Sequence, residues 1–192
     1  MREDRTGASP RRRELARRAY EYVLEHGLAE LSLRPLAEAI GTSAGVLMFL
    51  FGSKDGMVRA ILAEARADEL AMLDEVRGAS DADFVAVAGN VWDWLAGPEH
   101  ARLLTLWVEA YGRSLTATEG PLAGFGAQTV HDWLSVLDGK RHPDRGPDGP
   151  ADPLLSTAVL ALLRGSMLDL LATGERERVD AAFRHALRRV IG

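Results

Sequence analysis

The side chains best suited to chemistry in this sequence are cations and hydroxyls within its first sixty residues. Arginines occupy positions 11–13, Thr42 and Ser43 are adjacent, and Lys54 follows a few residues later. Guanidinium, ammonium and hydroxyl groups are the donors that proteins use to bind phosphate oxygens. These residues therefore predict the binding of a polyanion and not the breaking of a covalent bond.

Motifs for catalysis and metal binding do not occur in the sequence. The chain has no cysteine, so it offers no disulfide, zinc–thiolate site or thiol nucleophile. Its five histidines are scattered and form no HExxH pattern. Neither a GxSxG elbow nor a phosphate-binding P-loop is present. We therefore predict a protein that is not an enzyme, with no catalytic residue, no cofactor and no bound metal.

Charge is distributed unevenly along the chain. The formal net charge is −5, which by itself argues against binding nucleic acid. Residues 1–60, however, hold 10 Lys/Arg against 8 Asp/Glu, and residues 1–18 hold seven arginines against three acids. Such an arginine-rich lead-in can follow a DNA backbone or enter a minor groove. The alternative is a solvated basic tail.

Two short helices joined by a tight turn are predicted over residues 33–51. Ser32 and Ser43 are the predicted N-caps, because a serine oxygen can accept a backbone N–H at a helix start. Gly41 is placed where a left-handed residue ends the first helix. This pattern is typical of a helix-turn-helix, whose second helix enters the DNA major groove. The alternative is a pair of helices in an all-α core.

The order of these features resembles the N-terminal domain of TetR-family transcriptional regulators. The resemblance covers residues 11–62 and rests on four matching segments: Glu25-His26-Gly27-Leu28, Leu33 to Ala37, Gly41-Thr42-Ser43 and Phe51-Gly52-Ser53-Lys54-Asp55-Gly56-Met57. It implies an all-α fold with an N-terminal three-helix helix-turn-helix domain, assigned to residues 1–56. A C-terminal helical ligand-binding and dimerisation domain is assigned to residues 57–192.

The segment before Phe51 departs from the family pattern. The family commonly has Tyr-Tyr-His or similar residues there, whereas this chain has Met48-Phe49-Leu50, which cannot hydrogen-bond a phosphate. The resemblance then implies that a small, apolar surface contacts the DNA. The predicted DNA-binding residues are Arg11, Arg12, Arg13, Ser32, Thr42, Ser43, Ala44, Gly45, Met48, Phe49 and Lys54.

Helical patterns continue to the end of the chain. Further helices are predicted over residues 54–77, 81–95, 98–115, 122–137, 153–172 and 175–191. Residues 139–152 are rich in Pro, Gly and charge, and indicate a connector.

Aromatic residues are concentrated in the C-terminal two-thirds, which contains all four tryptophans. Aromatics at helical spacing are usually core. An apolar cavity with a few polar groups is the alternative, and the resemblance implies such a pocket for a small organic effector. The candidate ligand-binding residues are Trp92, Trp107, Glu109, Tyr111, Phe125 and His131. Glu109, if it faces inward, would favour a cation or a hydrogen-bond donor.

The last two predicted helices are apolar around much of their circumference. Such helices must be buried on more than one side, either inside one chain or in a two-fold dimer. The resemblance supports the dimer. The candidate interface residues are Leu155, Val159, Leu163, Met167, Phe183, Leu187 and Val190.

Two functions follow from these patterns. The resemblance implies a homodimeric repressor that binds a double-stranded DNA operator and is released by a small organic effector. The alternative is a TetR-like ligand- or partner-binding module with weakened or lost DNA binding, which Met48-Phe49-Leu50 keeps open. No apolar leader is visible, and the longest apolar run, residues 154–163, is too short for a membrane span. We therefore expect a cytoplasmic protein with no membrane partner.

Overall fold

The computed structural model of the chain describes residues 9–78, 84–138 and 152–191. Three of the sequence expectations lie outside these ranges: the first eight residues of the basic arm, the predicted helix start at residue 81 and most of the connector over residues 139–152.

Within the described ranges the chain is helical and contains no strand, which confirms the predicted all-α class. The helices are α1 (Pro10–His26), α2 (Leu33–Ala39), α3 (Ala44–Phe51), α4 (Lys54–Gly78), α5 (Phe84–Leu95), α6 (Ala101–Ser114), α7 (Phe125–Asp138), α8 (Pro153–Thr173) and α9 (Arg176–Ile191). A single 3-10 turn over Pro98–His100 precedes α6.

The pair α2 and α3 has the geometry of a helix-turn-helix. The two helices are bent by 107°, which lies within the range for this motif. The Ser43 hydroxyl accepts the N–H of Val46 at 3.2 Å, so the predicted cap of α3 is confirmed. The predicted cap at Ser32 is wrong, since its side chain makes no capping bond. Pro35 occupies the third position of α2 and has no N–H to give.

The structure divides into two compact units. Unit 1 consists of Met1–Asp68 and Leu106–Gly126, and unit 2 consists of Glu69–Thr105 and Ala127–Gly192. Unit 1 is larger than the predicted DNA-binding domain of residues 1–56, because it includes the first part of α4 and a segment starting within α6. The proposed boundary at residues 56 and 57 stays a prediction.

Unit 2 has a core built from α5, α8 and α9. Trp92 on α5 is fully buried and stacks on Phe183 of α9, with 4.7 Å between ring centroids. The Trp92 Nε1–H donates to the Asp180 carboxylate at 2.9 Å, so the one polar atom of this ring is satisfied. Asp152 caps α8, and Gly174, in the left-handed conformation, ends it and allows the tight turn into α9.

Helix α8 ends one residue beyond the predicted helix over residues 153–172 and is strongly apolar. It runs over 21 residues, and its most apolar 18-residue window has a mean hydropathy of 1.6, which by length and composition is enough to cross a membrane. The expectation of no membrane span was based on the apolar run at residues 154–163, which is shorter than this window. Only 28% of that window is buried within the chain, so much of an apolar helix remains uncovered.

Candidate nucleic-acid interface

Helix α3 has one buried and one exposed face. Leu47 and Phe51, four residues apart, are 1% and 8% exposed and anchor the helix. Met48 and Phe49 between them are 45% and 87% exposed. The outer face therefore presents large apolar side chains to solvent, at the position from which a recognition helix contacts DNA.

The start of α3 supplies the nearest polar groups. Thr42 is half-buried and Ser43 is exposed. The Ser43 hydroxyl oxygen is already used as the cap. Ala44 and Gly45 complete this end and add no polar side-chain atom. The structure thus places these four predicted contact residues together in the turn and the first helical residues.

Two arginines of α1 fix the ends of the helix-turn-helix. The Arg12 Nε–H donates to the carbonyl of Leu50 at 3.3 Å, and the Arg12 guanidinium lies 5.0 Å from the centroid of the Phe51 ring. Arg18 donates to the carbonyl of Ile40 at 3.2 Å. Each cation satisfies a carbonyl at the C-terminal end of a helix, where the helix dipole favours positive charge. Arg12, predicted to bind DNA, therefore also has a structural role.

The other predicted cations differ in their partners. Arg11 is paired with Glu14 at 2.9 Å. Arg13 is exposed on α1, and Lys54 is exposed at the first residue of α4. The Ser53 hydroxyl accepts the N–H of Gly56 at 2.9 Å and so orders the start of α4 behind Lys54. Arg13 and Lys54 are thus placed to reach a polyanion.

A buried polar cluster joins α1 to α4 inside unit 1. Tyr20 is 1% exposed, and its hydroxyl donates to Asp68 at 2.9 Å. Arg17 binds the same carboxylate at 3.1 Å. Burial, together with the hydrogen bond to Asp68, raises the pKa of Tyr20 above its usual value, so the phenol keeps its proton. Sequence reasoning missed this cluster because Asp68 is 48 residues from Tyr20 and 51 residues from Arg17.

Glu109, a candidate ligand residue, contacts the turn that follows α1. Gly27 ends α1 with a φ of +79°, and the next N–H, that of Leu28, donates to the Glu109 carboxylate at 2.9 Å. Arg113 lies 3.4 Å from the other oxygen of this carboxylate. Glu109 of α6 therefore acts as a cap for a turn 81 residues earlier, a pairing that no local pattern could indicate.

The remaining candidate ligand residues are divided between the units. Trp107 and Tyr111 stack in unit 1 with 5.0 Å between ring centroids, and Phe125 is half-buried in the same unit. Trp92 is committed to the unit 2 core. His131 is exposed in unit 2. Their joint role in ligand binding stays a prediction.

Two of the cavities formed by the described residues lie away from the candidate ligand residues. One, of about 510 Å³ in unit 1, is lined by residues that include Lys54, Arg113 and Glu119. The other, of about 350 Å³ in unit 2, is lined mainly by apolar residues, and Arg176 is its charged lining residue. Neither is lined by a candidate ligand residue. Within the described ranges, no group of three or more His, Cys, Asp or Glu side chains could hold a metal ion.

A buried carboxylate in unit 2 was also missed. Glu69 of α4 is 5% exposed and accepts a hydrogen bond from the Trp133 indole of α7. Buried carboxylates are rare unless they are paired. The Glu69–Trp133 bond places a carboxyl group inside unit 2, and the 64-residue separation explains why the sequence pattern did not reveal it.

The candidate interface residues lie mostly inside a single chain. Six of them are at most 9% exposed: Leu155, Val159, Leu163, Met167, Phe183 and Leu187. A buried side chain has no surface to offer a second copy, so these six residues pack the α8–α9 hairpin itself. Val190, at 43% exposure, is the one candidate on the surface.

The helix-turn-helix segment is similar in sequence to a known protein family. Residues 14–61 match the sequence profile of the family described as bacterial regulatory proteins, tetR family. No curated protein matches the chain.

Solved structures extend the likeness to nearly the whole chain. A TetR transcription regulator from Haloarcula marismortui is 17% identical, with 95% of this chain and 97% of that chain covered and a TM-score of 0.74. A TetR-family member from Streptomyces coelicolor is 24% identical, with 95% and 99% covered and a TM-score of 0.67. The multidrug binding protein EbrR complexed with ethidium is 23% identical, with 95% and 99% covered and a TM-score of 0.68. The helix-turn-helix at residues 33–51 therefore lies within the segment that matches the tetR family of bacterial regulatory proteins, and the chain shares the all-α fold of these solved structures.

Proposed function

We propose that the protein is a homodimeric, cytoplasmic repressor that binds a double-stranded DNA operator and is released by a small organic effector. The observation that supports a dimer most directly is the uncovered face of α8. Its exposed residues Leu154, Ala158, Ala161, Gly165 and Leu168 follow one another at alternating spacings of four and three. This is the spacing of a coiled-coil seam.

The α8 seam fits a second copy of the chain better than solvent. Leu154 and Leu168 are 82% and 48% exposed, and the alanines and glycine between them allow close helix approach. Val190 of α9 adds exposed apolar surface. Obligate interfaces bury on the order of 2,000 Å² or more. In a two-fold dimer, the two α3 helices could meet successive major grooves about 34–36 Å apart.

Effector binding is supported by the composition of the helices and by one structural relative. EbrR structures contain imidazole, proflavin and ethidium. In the present chain, the mainly apolar cavity of about 350 Å³ in unit 2 offers contacts to a small aromatic molecule. A preference of a few kcal/mol for one conformation is enough to change operator occupancy.

The alternative function is a ligand- or partner-binding module with weak DNA binding. It is favoured by α3, whose eight residues, AGVLMFLF, contain no side-chain nitrogen or oxygen. Failure to bind any duplex would favour this alternative.

The repressor proposal is tested first on the protein alone. Ethidium and proflavin intercalate into DNA, so their binding is followed by quenching of tryptophan fluorescence without DNA. We expect saturable quenching at one dye per protomer or per dimer. Release is then measured with imidazole, which does not intercalate, as a fall in affinity for a bound duplex. Quenching that rises linearly without saturation, or an unchanged duplex affinity, would contradict the effector role.

A further inference from the structure

The outward face of α3 consists of carbon, sulfur and hydrogen alone. Residues 44–51 contain no side-chain nitrogen or oxygen. Val46, Met48 and Phe49 are its exposed large side chains, at 39%, 45% and 87%. This helix therefore cannot offer the bidentate hydrogen bonds by which Arg, Asn and Gln side chains distinguish guanine and adenine.

Two polar groups at the ends of α3 are engaged within the chain. At its start, the Ser43 hydroxyl accepts the N–H of Val46. At its end, Arg12 donates to the Leu50 carbonyl and covers the Phe51 ring. Both groups hold the ends of the helix in place. The middle of the outward face is left to Met48 and Phe49.

Only one base edge in the major groove matches an apolar side chain. Thymine exposes a C5-methyl group there, whereas the other edges present hydrogen-bond donors and acceptors. We propose that α3 recognises thymine methyl groups through Met48 and Phe49, so that each operator half-site contains thymines at the positions that these side chains face. This proposal rests on the DNA-binding function of the chain and names the chemistry of its base recognition.

DNA is a better occupant of this face than an apolar protein partner. The face belongs to the second helix of a helix-turn-helix bent by 107°. Exposed cations lie on other helices of the same unit, with Arg13 on α1 and Lys54 at the start of α4. Phosphates would complement these charges, while a wholly apolar partner would leave them without a counter-ion.

The test uses the full chain and duplexes that it enriches from a pool of random sequence. In each enriched duplex, thymines are replaced one at a time by deoxyuridine, which lacks only the methyl group. We expect one or more replacements per half-site to weaken binding roughly fourfold each, the factor for losing one buried methyl-sized group. Replacement at other thymines should leave the affinity unchanged.

Alanine variants of α3 test whether Met48 and Phe49 are the side chains that contact the thymine methyl groups. Phe49→Ala and Met48→Ala should weaken binding to the thymine duplex, and each should lose its sensitivity to one of the effective deoxyuridine replacements. Leu115, 69% exposed after α6, provides the control, since Leu115→Ala should behave as the unaltered protein does. Circular dichroism confirms that each variant is folded.

Three results would overturn the proposal. The first is equal affinity for thymine and deoxyuridine duplexes. The second is a Phe49→Ala, Met48→Ala double variant that keeps its full sensitivity to deoxyuridine. In both of these cases DNA binding itself would stand. The third is enrichment of no duplex at all, which would remove the repressor function together with this proposal and favour a protein partner for α3.

Discussion

At the scale of single residues, Glu109 has a role that its sequence position did not suggest. The sequence placed it among effector-binding groups, whereas the structure shows its carboxylate accepting the N–H of Leu28. Leu28 is 3% exposed, so its N–H has little access to water. A buried N–H without an acceptor is costly. Glu109 therefore stabilises the turn between α1 and α2.

We expect Glu109→Ala to lower the free energy of unfolding by about 1–3 kcal/mol, the typical cost of leaving a buried donor unpaired. Glu109→Gln should lose less, because the amide oxygen can still accept the N–H. Urea denaturation measures both values. Glu38→Ala removes an exposed carboxylate of α2 and serves as the control. Equal losses in the alanine and glutamine variants would mean that the charge, and not the acceptor, matters.

At the scale of helices, a polar cluster joins α5 to α9. Arg184 bonds Asp180 on its own helix at 3.0 Å and also pairs with Asp93 of α5. Asp180 in turn accepts the Trp92 indole N–H. Partial burial opposes ionisation of Asp180, but the bonds from Trp92 and Arg184 outweigh it and lower the pKa of this carboxyl.

Because its pKa is lowered, the contribution of Asp180 to the free energy of unfolding depends on pH. The folded state binds the Asp180 proton less tightly than the unfolded state does, so the stabilisation is complete above about pH 4, the ordinary aspartate value. It is lost as the pH falls below that value and through the lowered pKa. The free-energy difference between the unaltered protein and Asp180→Asn should therefore shrink below about pH 4. Denaturation at several pH values measures it.

Glu177→Gln, an exposed change on the same helix, should show no such trend. A difference between the unaltered protein and Asp180→Asn that stays constant from neutral to acidic pH would show that Asp180 contributes by packing alone.

How far the sequence predicted each feature depended on the range of the interactions. Gly41 and the Ser43 cap act within a few residues, so the helix-turn-helix could be predicted from their spacing. The Ser32 cap failed for an equally local reason, the missing N–H of Pro35. Partners separated by many residues, such as Glu109 with Leu28 and Glu69 with Trp133, have no local signal, because only the packing of distant helices brings them together.

At the scale of the whole molecule, burial separates the core of the hairpin from its proposed interface. The apolar periodicity of α8 alone did not show which of its faces the chain itself covers. Leu163 is fully buried in one chain, so a charge there would unfold the protein instead of dissociating it. Leu168 is 48% exposed on the α8 seam and tolerates a charge in the single chain.

We expect Leu168→Glu to convert the dimer to a folded monomer, because a dimer would bury an unpaired carboxylate. Light scattering should give the unaltered protein twice the 20.8 kDa mass of one chain. The variant should have the mass of one chain. Leu115→Glu, also at an exposed leucine, should remain dimeric. A single-chain mass for the unaltered protein at micromolar concentration would rule out the α8 seam as a stable interface.

The apolar face of α3 has a consequence for how the protein would respond to temperature. Burial of apolar surface on binding lowers the heat capacity of the complex. The favourable free energy of that burial becomes smaller on cooling. Recognition helices that bind bases through hydrogen bonds have a favourable binding enthalpy instead. If Met48 and Phe49 supply the base discrimination, the preference for the operator over other DNA falls in the cold, while attraction to the phosphates persists. The protein would then be least selective for its operator at low temperature, because the side chains of α3 contain no nitrogen or oxygen.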